Sequence, residues 1–133
     1  TVKIAEAHEV LQPGTVYVAP QGKHLGASLG GRVLLSDAPA IGGFRPSATY
    51  LFESCAQAFR EKVVGIVLTG MGRDGADGLR TLHELGGLTI AQDEATSVVF
   101  GMPGVVVAEK LADDVVPIGR MAYHLLNLVT RAR

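Results

Sequence analysis

The stretch Val63-Val64-Gly65-Ile66-Val67-Leu68 is apolar almost throughout and runs directly into Thr69-Gly70-Met71-Gly72-Arg73-Asp74-Gly75. An uninterrupted apolar run of that length is typical of a strand covered on both faces. Beyond the glycines, Leu79, Leu82 and Leu85 recur at three-residue spacing and predict a helix over about 76–85, closed by Gly86-Gly87. Leu88-Thr89-Ile90-Ala91 then reads as a second strand. Strand, helix and strand at this spacing form a βαβ unit, which requires a parallel pair joined by a right-handed crossover. The chain is therefore of α/β class.

The flanking segments add to this unit. Residues 2–7 and Thr15-Val16-Tyr17-Val18-Ala19 have strand character, separated by a turn at Pro13-Gly14. Segments 24–29 and 32–36 flank Gly30-Gly31 and predict an antiparallel hairpin with a two-residue link. From Pro46 the period changes: Leu51, Phe52, Cys55, Ala56 and Phe59 line one face of a helix over about 47–61. A turn and short helix over 96–109, a strand at Val115-Val116 and a last helix over 118–131 complete the pattern. The expected architecture is a doubly wound, mostly parallel sheet with an antiparallel β-hairpin, in three α/β/α layers. Apolar residues make up 47% of the 133 positions, enough to fill one core, so residues 1–133 are expected to lie in a single domain. Thr1-Val2-Lys3-Ile4 begins as if in mid-strand, and the sequence is expected to be a piece of a longer polypeptide.

Composition excludes several functions. Twelve Lys and Arg against thirteen Asp and Glu give a net charge of −1, with no basic cluster interleaved with aromatics, so nucleic acid is not an expected partner. A single cysteine, Cys55, rules out an internal disulfide framework and a cysteine-rich zinc site. On the apolar face of its helix Cys55 is expected to act as a small buried hydrophobe. No apolar run reaches the ~20 residues a membrane span needs, and nothing resembles a signal peptide, so a cytoplasmic protein without membrane insertion is expected.

Ligands and catalytic groups of parallel sheets gather in the loops beyond the carboxyl ends of the strands, where 69–75 lies. Three glycines in seven residues bring main-chain N–H groups close to anything bound there. Asp74 has two readings: an N-cap of the following helix, or an orienting carboxylate that holds a histidine in one tautomer, as in a Ser-His-Asp triad. Gly70-x-Gly72-x-x-Gly75, with Asp93-Glu94 about 20 residues on, also spells a dinucleotide fingerprint. Against it, Asp74 places a carboxylate where a pyrophosphate would need the same N–H donors. None of Ser28, Ser36, Ser47, Ser54 and Ser97 has a nucleophile-elbow setting. His8 and His83 read as exposed, His124 as part of the last helix, and His24 as a loop residue after Gly22-Lys23. No pair has metal-site spacing, and Asp113-Asp114 reads as a solvated turn.

Thr69-Gly-Met-Gly-Arg-Asp-Gly-Ala76, Thr89-Ile-Ala-Gln-Asp-Glu-Ala95 and Val98-Val-Phe-Gly-Met-Pro103 strongly resemble the C-terminal half of the chemotaxis protein-glutamate methylesterase domain, the CheB family. Leu11–Pro20, Lys23-His24 and Arg45-Pro46-Ser47 extend the resemblance over essentially the whole chain. It implies hydrolysis of glutamate methyl esters, and deamidation of glutamines, on methyl-accepting chemotaxis receptors, with a Ser-His-Asp triad and no cofactor. A receiver domain usually precedes the domain. The family's aspartate maps to Asp74, and the N–H of its loop methionine, here Met71, is an oxyanion donor. Its serine and histidine belong to G-A-S-x-G-G and Q-H-M motifs near the domain start, which are not present in that place. Gly26-Ala27-Ser28-Leu29-Gly30-Gly31 spells the first, but no apolar strand runs into it and no amphipathic helix follows, so the nucleophile is not transferred to Ser28. Phe44 stands where the family pattern leads one to expect a polar residue. Without serine and histidine the isolated chain is expected to be inert. A noncatalytic binding or regulatory module is the alternative, and a dinucleotide-binding enzyme the third reading.

Overall fold

The computed structural model describes residues 1–131; the last two positions of the expected 1–133 domain lie outside the described residues. Strands β5 (Val64–Val67), β6 (Leu88–Gln92) and β7 (Asp114–Val116) form a parallel sheet in the order β5-β6-β7. Helix α2 (Ala76–Glu84) makes the crossover from β5 to β6 that the sequence predicts. α3 (Met102–Ala108) and α4 (Ile118–Arg131) follow β6 and β7.

The pleat divides the sheet into two faces. On one, Val67 and Ala91 pack with Leu79 and Leu82 of α2, Ala56 of α1 (Ala48–Phe59), Val106 and Leu111. On the other, Ile90 and Val116 pack with Met121, Leu125 and Leu128 of α4. Three layers result, as expected. The α1–α2 contact is unusually close at Gly78, where a Cβ would stand 2.7 Å from the Thr49 carbonyl oxygen. That approach brings the start of α1 against the start of α2, and so places the site.

The first quarter is built differently. β1 (Val2–Ile4) pairs with β2 (Val16–Val18) in parallel, and β3 (His24–Ala27) pairs with β4 (Val33–Ser36) antiparallel. β1 is shorter than the 2–7 expected. The hairpin link is one residue longer than Gly30-Gly31 alone: Gly31 N–H donates to the Ser28 carbonyl and Ser28 N–H to that of Arg32, with only Gly31 of the two glycines at positive φ, 73°. A three-residue loop ending in a left-handed glycine is the other common hairpin solution.

One expectation about burial fails. β5 is an edge strand with Val64 half-exposed, and Leu68 beyond it is likewise open. The apolar run is therefore covered fully on the α2 side only. The β1–β2 pair repeats this: Val2, Ile4, Val16 and Val18 share one face, and Val2 and Ile4 are 71% and 64% exposed.

Candidate active site

Asp74 ends the glycine loop, half-buried, and its carboxylate reaches across to another helix. Ser47 Oγ–H donates to Oδ1 at 2.7 Å, and Ala48 N–H to Oδ2 at 2.7 Å. Ser47 is the N-cap of α1, its Oγ accepting from Thr49 N–H at 3.1 Å. Asp74 thus adds its charge to the positive end of α1, where a carboxylate is stabilised. The N-cap reading of Asp74 is corrected in its address: α2 is capped by Gly75, without a side chain, while Asp74 serves α1. Thr49 Oγ1 accepts from Gly75 N–H at 2.9 Å and locks the two helix starts together.

His24 stands behind this contact. It is fully buried in β3, not in a turn; its Nδ1 accepts from Ser47 N–H at 3.1 Å, and Nε2–H donates to the Pro39 carbonyl at 3.0 Å. Tyr50 stacks on the ring, with centroids 4.8 Å apart. With both nitrogens engaged and no solvent access, His24 holds the Ser47 backbone and has no free nitrogen for proton transfer. Ser47, at 2% exposure with its hydroxyl proton given to a carboxylate, is likewise a support and not a nucleophile.

A carboxylate has about four lone-pair sites, and Asp74 has two donors on it. It lines a cleft of about 440 Å³ with Tyr17, Ala19, Leu25, Pro46 and Leu51. On its other side a smaller cavity of about 200 Å³ is bounded by Ile41, Phe44, Arg73 and Asp77. Phe44, half-exposed, thus stands at the rim of the site.

Met71 occupies the opposite end of the loop, with its residue 80% exposed. Among the described residues no acceptor lies on its N–H. The loop beneath it is stapled down: Thr69 N–H donates to Oε1 of the buried Gln92 at 2.8 Å, and Thr69 Oγ1 donates to the Val99 carbonyl at 3.1 Å while accepting from Val99 N–H at 2.8 Å. Gln92 completes its bonding to Thr96. Exposed N–H groups on a rigid loop are suited to binding a developing oxyanion.

The remaining candidates lie elsewhere. Ser28 sits in the hairpin loop, accepting from Arg32 N–H. Its neighbour Leu29 lines a cavity with Phe59 and Arg60, at the far end of α1; twelve residues separate the ends by roughly 18 Å. His8 and His83 are exposed. His124 Nε2 lies 2.9 Å from Asp114, and Asp113, exposed in a bend, accepts from Thr89 N–H at 2.8 Å, so the acidic pair also ties β7 to α4 and β6. Cys55 is half-buried, and burial pushes its thiol pKa up, which disfavours the reactive thiolate. Asp93 accepts from Thr96 N–H in its own turn, so it is not held out for a ribose. No helix among the described residues is long and apolar enough to cross a membrane.

Sequence reasoning missed Ser47, His24, Thr49 and Gln92 as supports. Ser47 alone carried a signal, as a serine directly before an apolar helical period.

Comparison with known proteins bears on this geometry. The family model described as CheB methylesterase matches residues 1–125. A protein-glutamate methylesterase/protein-glutamine glutaminase of Myxococcus xanthus is 51% identical over 95% of this chain, and protein-glutamate methylesterase FrzG of the same organism is 48% identical over 96%. The chain spans only 36% and 39% of the length of these two relatives. The crystal structure of the Thermotoga maritima CheB methylesterase catalytic domain superposes with a TM-score of 0.89 at 38% identity, covering 95% of this chain and 68% of that one.

Proposed function

The chain belongs to the CheB methylesterase family, and from that premise we propose that residues 1–133 are the C-terminal portion of one methylesterase catalytic domain. The complete domain hydrolyses glutamate methyl esters, and deamidates glutamines, on methyl-accepting chemotaxis receptors in the cytoplasm. The observation that carries the reading is the Asp74 carboxylate, held by Ser47 and Ala48 while lone pairs remain for a further donor, beside a cleft large enough to admit an imidazole.

In this mechanism Asp74 accepts the N–H of a histidine supplied by the rest of the domain and fixes its tautomer. The histidine takes the proton of a serine hydroxyl as the serine oxygen attacks the ester carbonyl carbon. Met71 N–H donates to the oxyanion that forms. Collapse expels methanol, which takes the proton back from the imidazolium. Water then repeats the sequence on the acyl-serine and releases free glutamate.

Two further observations support an incomplete domain. The open faces of β1–β2 and β5 are apolar surface of the kind that further elements of a domain pack over. The share of the Thermotoga domain left unmatched is large enough to provide them. A receiver domain ahead of the catalytic domain is the regulatory partner in this scheme.

The test uses the full-length protein that carries this sequence, incubated with a methyl-esterified chemoreceptor. Saturable methanol release, stopped by a serine-directed fluorophosphonate, is expected. No release, or release indifferent to the inhibitor, overturns the reading, and receptor binding without release favours a noncatalytic module.

A further inference from the structure

We infer that the Gly70–Met71 peptide is preset for oxyanion binding by a clamp from residues 99–102, which makes Gly101 and Thr69 positioning residues. The inference rests on the proposed role of Met71 N–H. A trans peptide is planar, so its C=O and N–H point in opposite directions. The Gly70 carbonyl oxygen accepts two bonds, from Gly101 N–H at 3.1 Å and from Met102 N–H at 3.0 Å. With that oxygen turned inward onto the start of α3, the N–H of the same peptide, which belongs to Met71, must face outward. Gly70 N–H donates to the Val99 carbonyl at 3.0 Å, and Thr69 Oγ1 bonds Val99 in both directions, so the peptide on the other side of Gly70 is held as well.

A flipped peptide would present the Gly70 carbonyl to the reacting ester instead of an N–H, replacing attraction with repulsion at the atom where negative charge develops. The clamp holds the chosen state against the other, because Gly70 itself, lacking a Cβ, opposes the flip little. Gly101 is what allows the clamp to close. A Cβ there would overlap the Gly70 carbonyl oxygen and stand 2.9 Å from Met71 Cα and 3.2 Å from Gly72 N, all of them main-chain atoms without a flexible side chain to yield.

The test measures kcat and KM for methyl ester hydrolysis by the full-length protein. Gly101→Ala is expected to lower kcat by about 10²-fold, the loss typical of one oxyanion donor, with KM within about threefold. Gly119→Ala, at a glycine with open space around it, is expected to leave both unchanged. Thr69 is exposed, so Thr69→Val tests the clamp without filling space; it is expected to lower kcat about tenfold, and Thr69→Ser to restore it. If Gly101→Ala does not fold, the Thr69 pair decides. Wild-type kcat in Thr69→Val, or a KM effect in place of a kcat effect in either variant, overturns the clamp. When Asp74→Asn abolishes turnover while the clamp variants do not, the esterase reading stands and the clamp falls; a wild-type protein without turnover sinks both.

Discussion

The two ends of the Thr69–Gly75 loop solve opposite problems. At one end Asp74 is half-buried, bonded through both oxygens and seated on the positive end of α1. At the other Met71 is exposed, with an N–H that no acceptor among the described residues engages. The buried end holds a charge in place; the exposed end keeps a donor available. What they share is support from outside the loop: α1 grips Asp74, and residues 99–102 grip Gly70. A site for acyl chemistry needs both properties within a few residues, and a short glycine loop between two packed anchors provides them.

That contrast can be broken most severely at its charged end. Asp74→Asn keeps the shape and removes the charge, and kcat of the full-length enzyme is expected to fall about 10⁴-fold, as when a triad aspartate is lost elsewhere. Leu79→Ala attacks the scaffold common to both ends. Leu79 of α2 is fully buried against α1 and β5, and urea unfolding is expected to register a loss of about 2–5 kcal/mol. Ser47→Ala sharpens the comparison, because it removes a support of Asp74 and the N-cap of α1 without touching Met71. A stability loss of about 1 kcal/mol is expected from the cap, together with a kcat deficit that comes through Asp74.

The smallest effect lies away from the loop. Lys3 Nζ donates to Glu9 at 2.8 Å and Glu6 N–H donates to the same carboxylate, which together hold Glu9 below the usual carboxylate range, with the Lys3 bond the larger cause. A lowered folded pKa means that stability from this group is present above the unfolded value and lost as pH falls through the folded one. Glu9→Gln should therefore lower the melting temperature slightly at neutral pH, and the difference from wild type should vanish in acid. A difference that persists below the carboxylate range would contradict this assignment.

Much of the framework was legible because period and punctuation are local signals. Leu79, Leu82 and Leu85 announced α2, the glycines at 86 and 87 its end, and the βαβ unit followed. The three-glycine loop was legible as a site for the same reason. What escaped was everything set by long-range contact. Nothing near Asp74 in sequence indicates Ser47, 27 residues away, and nothing near Ser47 indicates His24. Burial of the apolar run was overread, since hydropathy cannot say that β5 stands at the sheet edge with Val64 half-exposed. Of the two readings of Asp74, the cap attaches to the helix before it and not the one after: its carboxylate accepts from Ala48 N–H at the start of α1, because close packing at Gly78 brings the two helix starts together.

The central claim is that Asp74 steers an imidazole. A crystal structure of the full-length protein tests it directly, by the distance from the Asp74 carboxylate to the nearest histidine nitrogen outside residues 1–133. A nitrogen within about 2.6–3.2 Å, entering from the cleft lined by Tyr17, Ala19 and Pro46, is the predicted result. A cleft filled by apolar side chains, with Ser47 and Ala48 still the sole donors to Asp74, would contradict it.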